Sequence, residues 1–456
     1  MQDLRSFLEL VKKNNPEEVL YISERISSKH EITAFVMALE GMNQYPIIIF
    51  KNVEGSEFPL IVNVHATRKR LALALNTTEK DLIYELRKRE ETLIKPKVVS
   101  TGPVKEKVVI GKEIDLYKLP IPWHFEGDIG PYICSGVVIT KDPDSGVYNA
   151  SFHRMQLKGK DKLAISLHSR RHTFEYFRRA EEAGKPLEVA IVLGYHPALA
   201  LGAVAKGNIN TDEYEVIGGI LGCPLELTKA SVNELLIPAQ AEMVIETEIL
   251  PNKREPEGPF AEFPGYYSGS STNNIMQVKA INYRHGAYYQ DITPGRAKEH
   301  LRLVGVPRES STFKFVQQCV PTVKDVCMPM SGSGAYTCYI SLRKTAEGQG
   351  KNAIFAALAH DHFIKLAVAV DDDINVYNEE EIMWAVATRM QADQDVFIIK
   401  NVMGCMLDHT SNNGLTAKMG IDATRNLDNL TPMCQVSQKA LNSMKEKIDR
   451  LNLYKN

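Results

Sequence analysis

The sequence lacks several features that would place it in particular classes of protein. Apolar runs such as 353–359 and 366–370 have only the length of a strand or a short helix face, so none is long enough to cross a bilayer. No long apolar stretch follows the first residues, so we expect no secretory signal and a cytoplasmic location. The seven cysteines are scattered and include no C-x-x-C pair, which predicts reduced thiols and argues against a cysteine-rich zinc site.

A strong net charge and a nucleotide-binding fingerprint are also missing. Lys and Arg total 54 against 56 Asp and Glu, so there is no electrostatic case for nucleic acid or an anionic membrane as a partner. No Gly-x-Gly-x-x-Gly follows a predicted strand, which weighs against a nicotinamide site. The composition is that of an ordinary globular protein, with 44% hydrophobic and 24% charged residues. At 456 residues the chain is long enough for two or three domains.

The periodicity of the sequence divides it into three parts. Residues 1–107 combine helical periodicity with short β-branched runs, which predicts an N-terminal α/β domain. Residues 108–306 carry short strands between Pro/Gly turns, which indicates a barrel or sandwich with inserted helices. Residues 307–456 alternate strands and helices, which predicts a third, α/β domain.

Three patterns within these parts make specific predictions. At the start of the chain, apolar residues recur at helical spacing and predict an amphipathic helix. In the strand predicted at 242–250, apolar residues alternate with Glu246 and Glu248, so we expect one buried face and one face in water. One face of the last predicted helix carries Leu441, Met444, Ile448 and Leu451. This stripe could pack on its own domain or on a second subunit, and the second subunit is favoured, which predicts a homodimer or higher oligomer.

The most informative stretch is residues 254–267, here called the acidic loop. It contains three carboxylates, three prolines and two glycines among aromatic residues, which predicts a bent backbone held in place. The apolar neighbours would raise the pKa of Glu257 or Glu262 and suit a carboxyl group to proton transfer near neutral pH. An active-site wall is one interpretation; a solvated acidic loop with a few packed aromatics is the other.

A second group of residues has the mixed donors of a divalent-metal site. Asn149 offers an amide oxygen, His172 an imidazole and Glu213 a carboxylate. This set suits Mn²⁺ or Mg²⁺, and the ring nitrogen favours Mn²⁺. The cations near these residues that would suit a phosphate are Arg154, Arg170 and Arg171. The alternative is a set of ordinary hydrogen-bonded polar side chains, because spacing alone does not bring the residues together.

Three further features have both a functional and a structural interpretation. Gly348 to Lys351 open a helix, so Lys351 could hold a phosphate, or the stretch is a plain glycine turn. Asp371 to Asp373 end a strand and could bind a metal, although a loop-and-cap role is favoured. Lys418 could contact a cofactor, although a structural role is favoured.

Taken together, these stretches resemble the UbiD family of decarboxylases, which use prenylated FMN. The motifs that carry the resemblance, in order, are residues 149–154, 157–163, 257–262 with 265–267, and 370–375, and it extends from 119–122 to 418–424. The resemblance implies a central split β-barrel related to flavin reductases, flanked by N- and C-terminal α/β domains. It also implies prenylated FMN with Mn²⁺ or Mg²⁺, K⁺ as a further candidate ion, and a flavin prenyltransferase as the supplier of the cofactor.

The resemblance also implies roles for individual residues. The implied metal ligands are Asn149, His172 and Glu213. The implied catalytic network is Arg154, Glu257 and Glu262, with Glu262 as proton donor. The cofactor-binding candidates are Asn149, Phe152, His153, Arg154, Ser166, Leu167, His168, Arg171, His172 and, from the glycine turn above, Lys351.

The implied reaction is the reversible, non-oxidative decarboxylation of an aromatic, heteroaromatic or α,β-unsaturated carboxylic acid through a covalent adduct with the cofactor. The alternatives are a flavin-dependent oxidoreductase on the same barrel and a non-catalytic flavin- or metal-binding protein. Departures from the family pattern concern the substrate. Ala261 replaces a usual Gly, His153 and His168 replace apolar or aromatic residues beside the flavin, and His300 lies where the substrate pocket is often shaped. These histidines favour a polar ring, such as furan, pyrrole or a phenolic acid, over a plain cinnamate.

Overall fold

The computed structural model describes residues 3–167, 172–205, 207–428, 431–434 and 436–451. In these residues the three larger sheets have four, nine and five strands and follow one another along the sequence. We call them the N-terminal, central and C-terminal sheets. The central sheet is a curled antiparallel half-barrel, whereas the other two contain parallel pairs and carry helices. The predicted three-part α/β architecture is therefore confirmed.

The N-terminal part alternates helices and strands. Its elements are α1 (Leu4–Asn14), β1 (Val19–Ile26), α2 (Glu31–Gly41), β2 (Ile47–Val53), β3 (Leu60–Val62), α3 (Arg68–Ala74) and α4 (Leu82–Glu90). Asp3 caps α1 by accepting a hydrogen bond from Ser6 N, and the apolar face of α1 is buried, so the predicted amphipathic helix is confirmed.

The central part supplies most of the strands. Its elements are β4 (Lys97–Val98), β5 (Lys107–Ile110), β6 (Tyr132–Ile133), β7 (Val137–Lys141), β8 (Tyr148–Phe152), β9 (Met155–Gly159), β10 (Lys162–Ile165), α5 (His172–Glu182), β11 (Leu187–Leu193), α6 (Pro197–Val204), α7 (Glu213–Leu221), β12 (Glu226–Lys229), β13 (Leu236–Pro238), β14 (Met243–Glu257), β15 (Phe260–Ala261), β16 (Tyr267–Ser268), β17 (Ser271–Tyr283), β18 (Tyr289–Gln290) and α8 (Lys298–Cys319). The central sheet has the order β6-β9-β10-β17-β14-β11-β7-β8, with β5 beside β17, whereas β18 joins β3 in the N-terminal sheet.

From its apolar residues, the stretch 133–140 is predicted to be one strand, but it contains the end of β6 and most of β7, which pair with different neighbours. The chain bends between them at 134–136, and Gly136 there packs closely on the sheet. A Cβ on Gly136 would come within 2.6 Å of Ile191 Cγ2 and 2.9 Å of Met155 Cε. A run of apolar residues therefore does not reveal where one strand ends and the next begins.

The wet face expected on β14 is wrong at Glu246, which is fully buried. Its carboxylate accepts hydrogen bonds from Ser231 N at 2.6 Å, Val232 N at 2.9 Å and Asn282 Nδ2 at 2.7 Å. A loop that follows β12 covers this face of the strand. Alternation in sequence shows that side chains point to opposite faces, but it does not show that a polar face meets water.

The C-terminal part follows its predicted order of strands and helices. Its elements are β19 (Val323–Cys327), β20 (Thr337–Leu342), α9 (Gln349–His360), β21 (Leu366–Asp371), α10 (Glu379–Arg389), α11 (Ala392–Asp395), β22 (Val396–Met403), β23 (Leu415–Ala423) and α12 (Gln438–Leu451). The C-terminal sheet has the order β19-β20-β21-β23-β22, in which β23 is parallel to β21 and antiparallel to the edge strand β22.

Helix α8 crosses the boundary expected at 306/307 between the central and C-terminal parts. The domain boundaries at 107/108 and 306/307 stay predictions. The apolar stripe of α12 is exposed by 41% at Leu441, 49% at Met444, 42% at Ile448 and 56% at Leu451. Its packing on a second subunit stays a prediction.

Among the described residues, no helix has both the length and the apolar character needed to cross a membrane.

Candidate active site

A cavity of about 780 Å³ lies where the central sheet meets helices α6 to α8 and the C-terminal part. Its walls include β8 and the turn after it, the starts of α5 and α7, the acidic loop, and C-terminal side chains such as His362 and Phe363. The predicted site residues that line it are Asn149, Phe152, His153, Arg154, Ser166, His172, Glu213, Glu262 and His300. The fold therefore brings together residues that are far apart in sequence.

On one wall of the cavity, Arg154 joins two glutamates of the acidic loop. Arg154 Nε and Nη2 donate to the two oxygens of Glu257 at 2.9 and 2.8 Å, and Nη1 donates to Oε1 of Glu262. Arg154 lies in the turn between β8 and β9, and Glu257 ends β14, so strands of one sheet fix both partners. The guanidinium also lies over the ring of Phe260, 5.0 Å from its centroid.

The pKa values of the two glutamates are displaced in opposite directions. Burial would raise the pKa of Glu257, but the hydrogen bonds and charge of Arg154 outweigh it and hold that pKa below its usual value. Burial raises the pKa of Glu262, and the opposing effect of Arg154 does not cancel the increase. Asn273 Nδ2 further donates to Glu257 Oε2 at 2.7 Å. Glu257 is thus held as a carboxylate, while Glu262 is the group suited to carry a proton.

Residues 257–264 of the acidic loop form a largely buried wall of the cavity, so this part is not a solvated loop, whereas Tyr266 and Tyr267 are about half exposed. Glu257 is 1% exposed, β15 pairs with β16, and Glu262 N donates to Tyr266 O at 3.0 Å. The turn requires glycine at Gly265, where φ is 88° and a Cβ would come within 2.6 Å of Arg296 Cδ.

Asn149, His172 and Glu213 come together from three elements on another wall. Asn149 lies in β8, His172 begins α5, and Glu213 begins α7 behind its N-cap Asp212. His172 Nδ1 lies 3.4 Å from Glu213 Oε1. Burial raises the pKa of Glu213 despite this neighbour, and among the described residues its buried Oε2 has no hydrogen-bond partner.

These donors fit a divalent cation. An ion would coordinate Glu213 Oε2, which has no hydrogen-bond partner among the described residues, and would offset the energetic cost of burying the carboxylate charge. Within the described ranges, no three His, Cys, Asp or Glu side chains gather into a metal-binding group, so an ion here would depend on the amide oxygen of Asn149. Ser151 Oγ and Thr173 Oγ1 donate to Asn149 Oδ1 at 3.0 and 2.7 Å. Hydroxyl groups also accept hydrogen bonds. A flip of the Asn149 side-chain amide would therefore let its N–H₂ group donate to both hydroxyls and would direct its oxygen toward an ion.

The flavin-side candidates have mixed placements. His153 lines the cavity, with Nε2 3.1 Å from Ser151 Oγ and Nδ1 3.0 Å from Ser166 O. Phe152 also lines it, whereas Leu167 packs against the main hydrophobic core and does not. The predictions for His168 and Arg171, like the phosphate role suggested for Arg170, fall outside the described residues.

His300 lines the cavity as expected from its sequence position. Its Nδ1 lies 3.0 Å from the carbonyl oxygen of Gly295, which can only accept, so Nδ1 carries the proton. Burial lowers the pKa of His300, so the imidazole is neutral.

Lys351 is not part of this site. Its Nζ donates to Gln394 O at 2.8 Å, and the residue does not line the cavity. The start of α9 already faces a carboxylate of the protein, because a Cβ on Gly350 would come within 2.3 Å of Asp422 Oδ1. An acidic side chain of the protein therefore lies beside the helix terminus at which a phosphate was expected.

The other two features with alternative interpretations are structural. Asp371 Oδ2 accepts from Arg389 Nη1 and from Arg425 N, each at 2.8 Å, which is the loop role that was favoured. Lys418 is buried and donates to Leu358 O at 2.7 Å and Asp361 O at 3.2 Å.

Several side chains of the cavity could not be predicted from the sequence. Cys134, Arg308 and Phe363 all line it. Arg308 donates to the carboxylate of Asp361 and lies over the ring of Phe363, 4.1 Å from its centroid. No motif or spacing marks these residues, and Arg308 and Phe363 reach the site only where the C-terminal part packs against the central part.

Three family models match successive parts of the chain. They describe the N-terminal, Rift-related and C-terminal domains of 3-octaprenyl-4-hydroxybenzoate carboxy-lyase, and they match residues 11–90, 97–297 and 302–423. The chain belongs to the UbiD family. The predicted family and the predicted class of enzyme, a UbiD-family decarboxylase, are thereby confirmed.

Relatives of this UbiD-family chain match it over almost its whole length. Anhydromevalonate phosphate decarboxylase of Methanothermobacter thermautotrophicus is 34% identical over 438 residues, which cover 95% of this chain and 100% of that protein. The UbiD-class enzyme HmfF from Pelotomaculum thermopropionicum, solved in complex with FMN, is 39% identical with a TM-score of 0.93, covering 98% of this chain and 99% of that one. An evolved dimeric form of HmfF, solved with prFMN, is 36% identical with a TM-score of 0.88, covering 96% and 100%.

Proposed function

We propose that the chain catalyses the reversible, non-oxidative decarboxylation of an aromatic, heteroaromatic or α,β-unsaturated carboxylic acid, with Glu262 as the proton donor. The observation that carries the proposal is Arg154, held between two glutamates of unequal pKa on the wall of the large cavity. A cation able to bind a carboxylate thus lies beside a carboxylic acid able to protonate carbon. An oxidoreductase or a non-catalytic carrier has no need of this network.

The cofactor of the proposal is prenylated FMN, since HmfF has been solved with FMN and its evolved dimeric form with prFMN. When bound, this group supplies an acceptor for the electrons that remain as CO₂ leaves. The cavity of about 780 Å³ is of a size that suits a cofactor and a small acid. Asn149, His172 and Glu213 would hold Mn²⁺ or Mg²⁺ beside it, and K⁺ stays a further candidate.

The residues of the network would divide the work according to their contacts. Glu257 occupies Nε and Nη2 of Arg154 and so fixes the plane of the guanidinium. That leaves Nη1, now bonded to Glu262, to be shared with a substrate carboxylate. In its acid form Glu262 would give its proton to the carbon that has lost CO₂, and in the reverse direction its carboxylate would take that proton away.

Aromatic packing beside Glu262 would keep water from the proton transfer. The ring of Phe263 lies 5.3 Å from Tyr336 and 5.8 Å from Phe363, measured between ring centroids. Both partners belong to the C-terminal part, so this contact closes the cavity on the side of the acid. A dry environment preserves the raised pKa that the proton donor requires.

For the substrate we propose a polar ring, such as a furan, a pyrrole or a phenol. His300 and Arg308 place polar atoms in the cavity wall, and a plain cinnamate would leave such atoms unpaired. A ring that carries its own oxygen or nitrogen can meet them with hydrogen bonds.

Several finer statements complete the proposal. The central sheet would be a split β-barrel of the flavin-reductase type, and the exposed stripe of α12 would join copies of the chain into a homodimer or higher oligomer. The protein would be cytoplasmic and would receive its cofactor from a flavin prenyltransferase.

The test is to produce the protein with and without a flavin prenyltransferase and to measure CO₂ release. The panel contains furan-2-carboxylic, pyrrole-2-carboxylic, 3,4-dihydroxybenzoic and cinnamic acids. We expect CO₂ from a polar-ring acid, and only from protein made with the prenyltransferase. Loaded protein that releases no CO₂ from any acid but oxidises a nicotinamide would favour the oxidoreductase instead.

A further inference from the structure

The segment 123–129 runs behind the acidic loop and is tied to it along its length. Ile129 N donates to Pro259 O at 3.0 Å, and the hydroxyl of Tyr267 accepts from Gly127 N at 3.0 Å. Between these ties, Asp128 Oδ1 accepts from Ala261 N at 2.8 Å. Ala261, which donates this last bond, immediately precedes Glu262, the proposed proton donor.

Asp128 holds two backbone segments with one side chain. Its Oδ1 binds Ala261 N, and its Oδ2 accepts from Phe125 N at 2.9 Å. Asp128 is 3% exposed, so neither N–H would find water in its absence. An aspartate suits this position because both of its oxygens accept, whereas an asparagine would turn an N–H₂ group toward one of the two donors.

The same segment backs two other side chains of the cavity. The ring of Phe125 packs against Gly295, where an added Cβ would lie 3.2 Å from Phe125 Cζ. The carbonyl oxygen of Gly295 in turn accepts a hydrogen bond from His300 Nδ1. His124 Nε2 lies 3.0 Å from Asp291 Oδ2, and its Nδ1 lies 3.9 Å from Cys134 Sγ. The segment thus has contacts behind three walls of one cavity, and Asp128 anchors it to the wall that carries Glu262.

We propose that Asp128 is a positioning residue, which holds the acidic loop at the height and orientation that place Glu262 against Arg154. The chemical part of this inference rests on the proposed function, because it concerns delivery of a proton by Glu262. The structural part does not, because the hydrogen bonds between the segment 123–129 and the acidic loop are independent of any reaction. Asp128 itself would touch neither substrate nor cofactor.

The experiment compares Asp128→Asn with a matched control, Asp142→Asn. Asp142 is 5% exposed and accepts from Asp144 N at 2.9 Å, so it too is a buried aspartate that holds a loop N–H, but it does not line the cavity. Hydrogen–deuterium exchange of the loaded protein is measured over residues 258–267. We expect these amides to exchange roughly 10-fold faster in Asp128→Asn and at the wild-type rate in the control.

Steady-state kinetics on the best acid of the panel give a second readout. We expect kcat to fall about 10- to 100-fold in Asp128→Asn with KM nearly unchanged, because a displaced acid impairs the proton step and not substrate binding. The charged and titratable groups around Glu262 are Arg154, Glu257, Asp128, Cys134 and Tyr336. Removing the negative charge of Asp128 lowers the pKa of Glu262, so the fall of kcat at high pH should move to lower pH.

Wild-type exchange over 258–267 in a folded Asp128→Asn variant overturns the proposal. If that variant does not fold, Tyr267→Phe decides, since it removes only the tie to Gly127 from a half-exposed side chain. We expect about threefold faster exchange of the loop in Tyr267→Phe, and unchanged exchange there is the refuting result. A wild-type protein that releases no CO₂ would defeat the proposed function alone, because the exchange experiment needs no substrate.

Discussion

Replacing Glu262 by Gln removes a proton from the site while leaving most of its geometry in place. The amide oxygen of glutamine can still accept from Arg154 Nη1, and the two bonds between Arg154 and Glu257 do not involve position 262. The side chain keeps its size, so the aromatic packing of Phe263 should persist. We therefore expect Glu262→Gln to fold, load cofactor and bind substrate as the wild type does.

The magnitude follows from what the variant loses. Removal of a positioned general acid typically costs about 10²- to 10⁴-fold in rate, which corresponds to about 3–5 kcal/mol of activation free energy. Because burial raises the pKa of Glu262, the wild type should lose activity as pH rises through that pKa, and the variant should lack this step. The assay is CO₂ release against pH, together with product formed in D₂O, which should carry one deuterium at the carbon that lost CO₂.

Glu255→Gln is the matched control for this prediction. Glu255 lies in the same stretch of chain but pairs with Lys162 at 2.8 Å, is partly exposed, and does not line the cavity. It should keep the wild-type rate and pH profile. If Glu262→Gln turned over at the wild-type rate with its flavin intact, Glu262 would not be the donor, and Glu257 would be the next candidate.

Four further predictions follow from other parts of the structure. Glu213→Ala should fold but lose metal and flavin together, with metal affinity about 10- to 100-fold weaker, measured by metal analysis and absorbance. His300→Ala should change which acids of the panel are accepted at unchanged flavin content. Burial raises the pKa of Glu90 to about 7. Between the ordinary value of 4.5 and about 7 the unfolded chain ionises Glu90 while the folded protein keeps it protonated, so stability is lost over this pH range. Glu90→Gln should therefore gain about 3 kcal/mol of unfolding free energy at pH 8 and less than about 1 kcal/mol at pH 5, measured by urea titration. Ile448→Glu should shift the oligomer toward monomer in light scattering, because it puts a charge on the apolar stripe of α12.

Local periodicity was sufficient to predict much of the fold. The apolar spacing of α1 and the alternation of strands and helices after residue 307 each record a buried face within one element. Such patterns arise because successive turns of a helix, or alternate residues of a strand, contact the same neighbouring surface. They do not record which other segment covers an element, and Glu246 shows the consequence, since a loop from elsewhere buries its carboxylate.

The candidate site could be predicted only where long motifs were available to compare. Asn149 and Glu213 are separated by three strands and two helices, and no spacing rule connects them. Arg308 and Phe363 reach the cavity only because the C-terminal part packs against the central sheet, which local sequence does not encode. A glycine turn before a helix suggests an anion site, but Lys351 donates to Gln394 O and lies away from the cavity, which the local pattern does not reveal.

The division of roles between Glu257 and Glu262 depends on a feature that neither residue type nor sequence position reveals. Both are glutamates of one loop, both are beside the same arginine, and burial alone would raise the pKa of either. Arg154 gives two hydrogen bonds to Glu257 and one to Glu262, and Asn273 adds another to Glu257. One guanidinium therefore holds the pKa of Glu257 below its usual value, while burial keeps the pKa of Glu262 raised. In the proposed mechanism, this unequal sharing of a single cation makes Glu257 the anchor of Arg154 and Glu262 the acid.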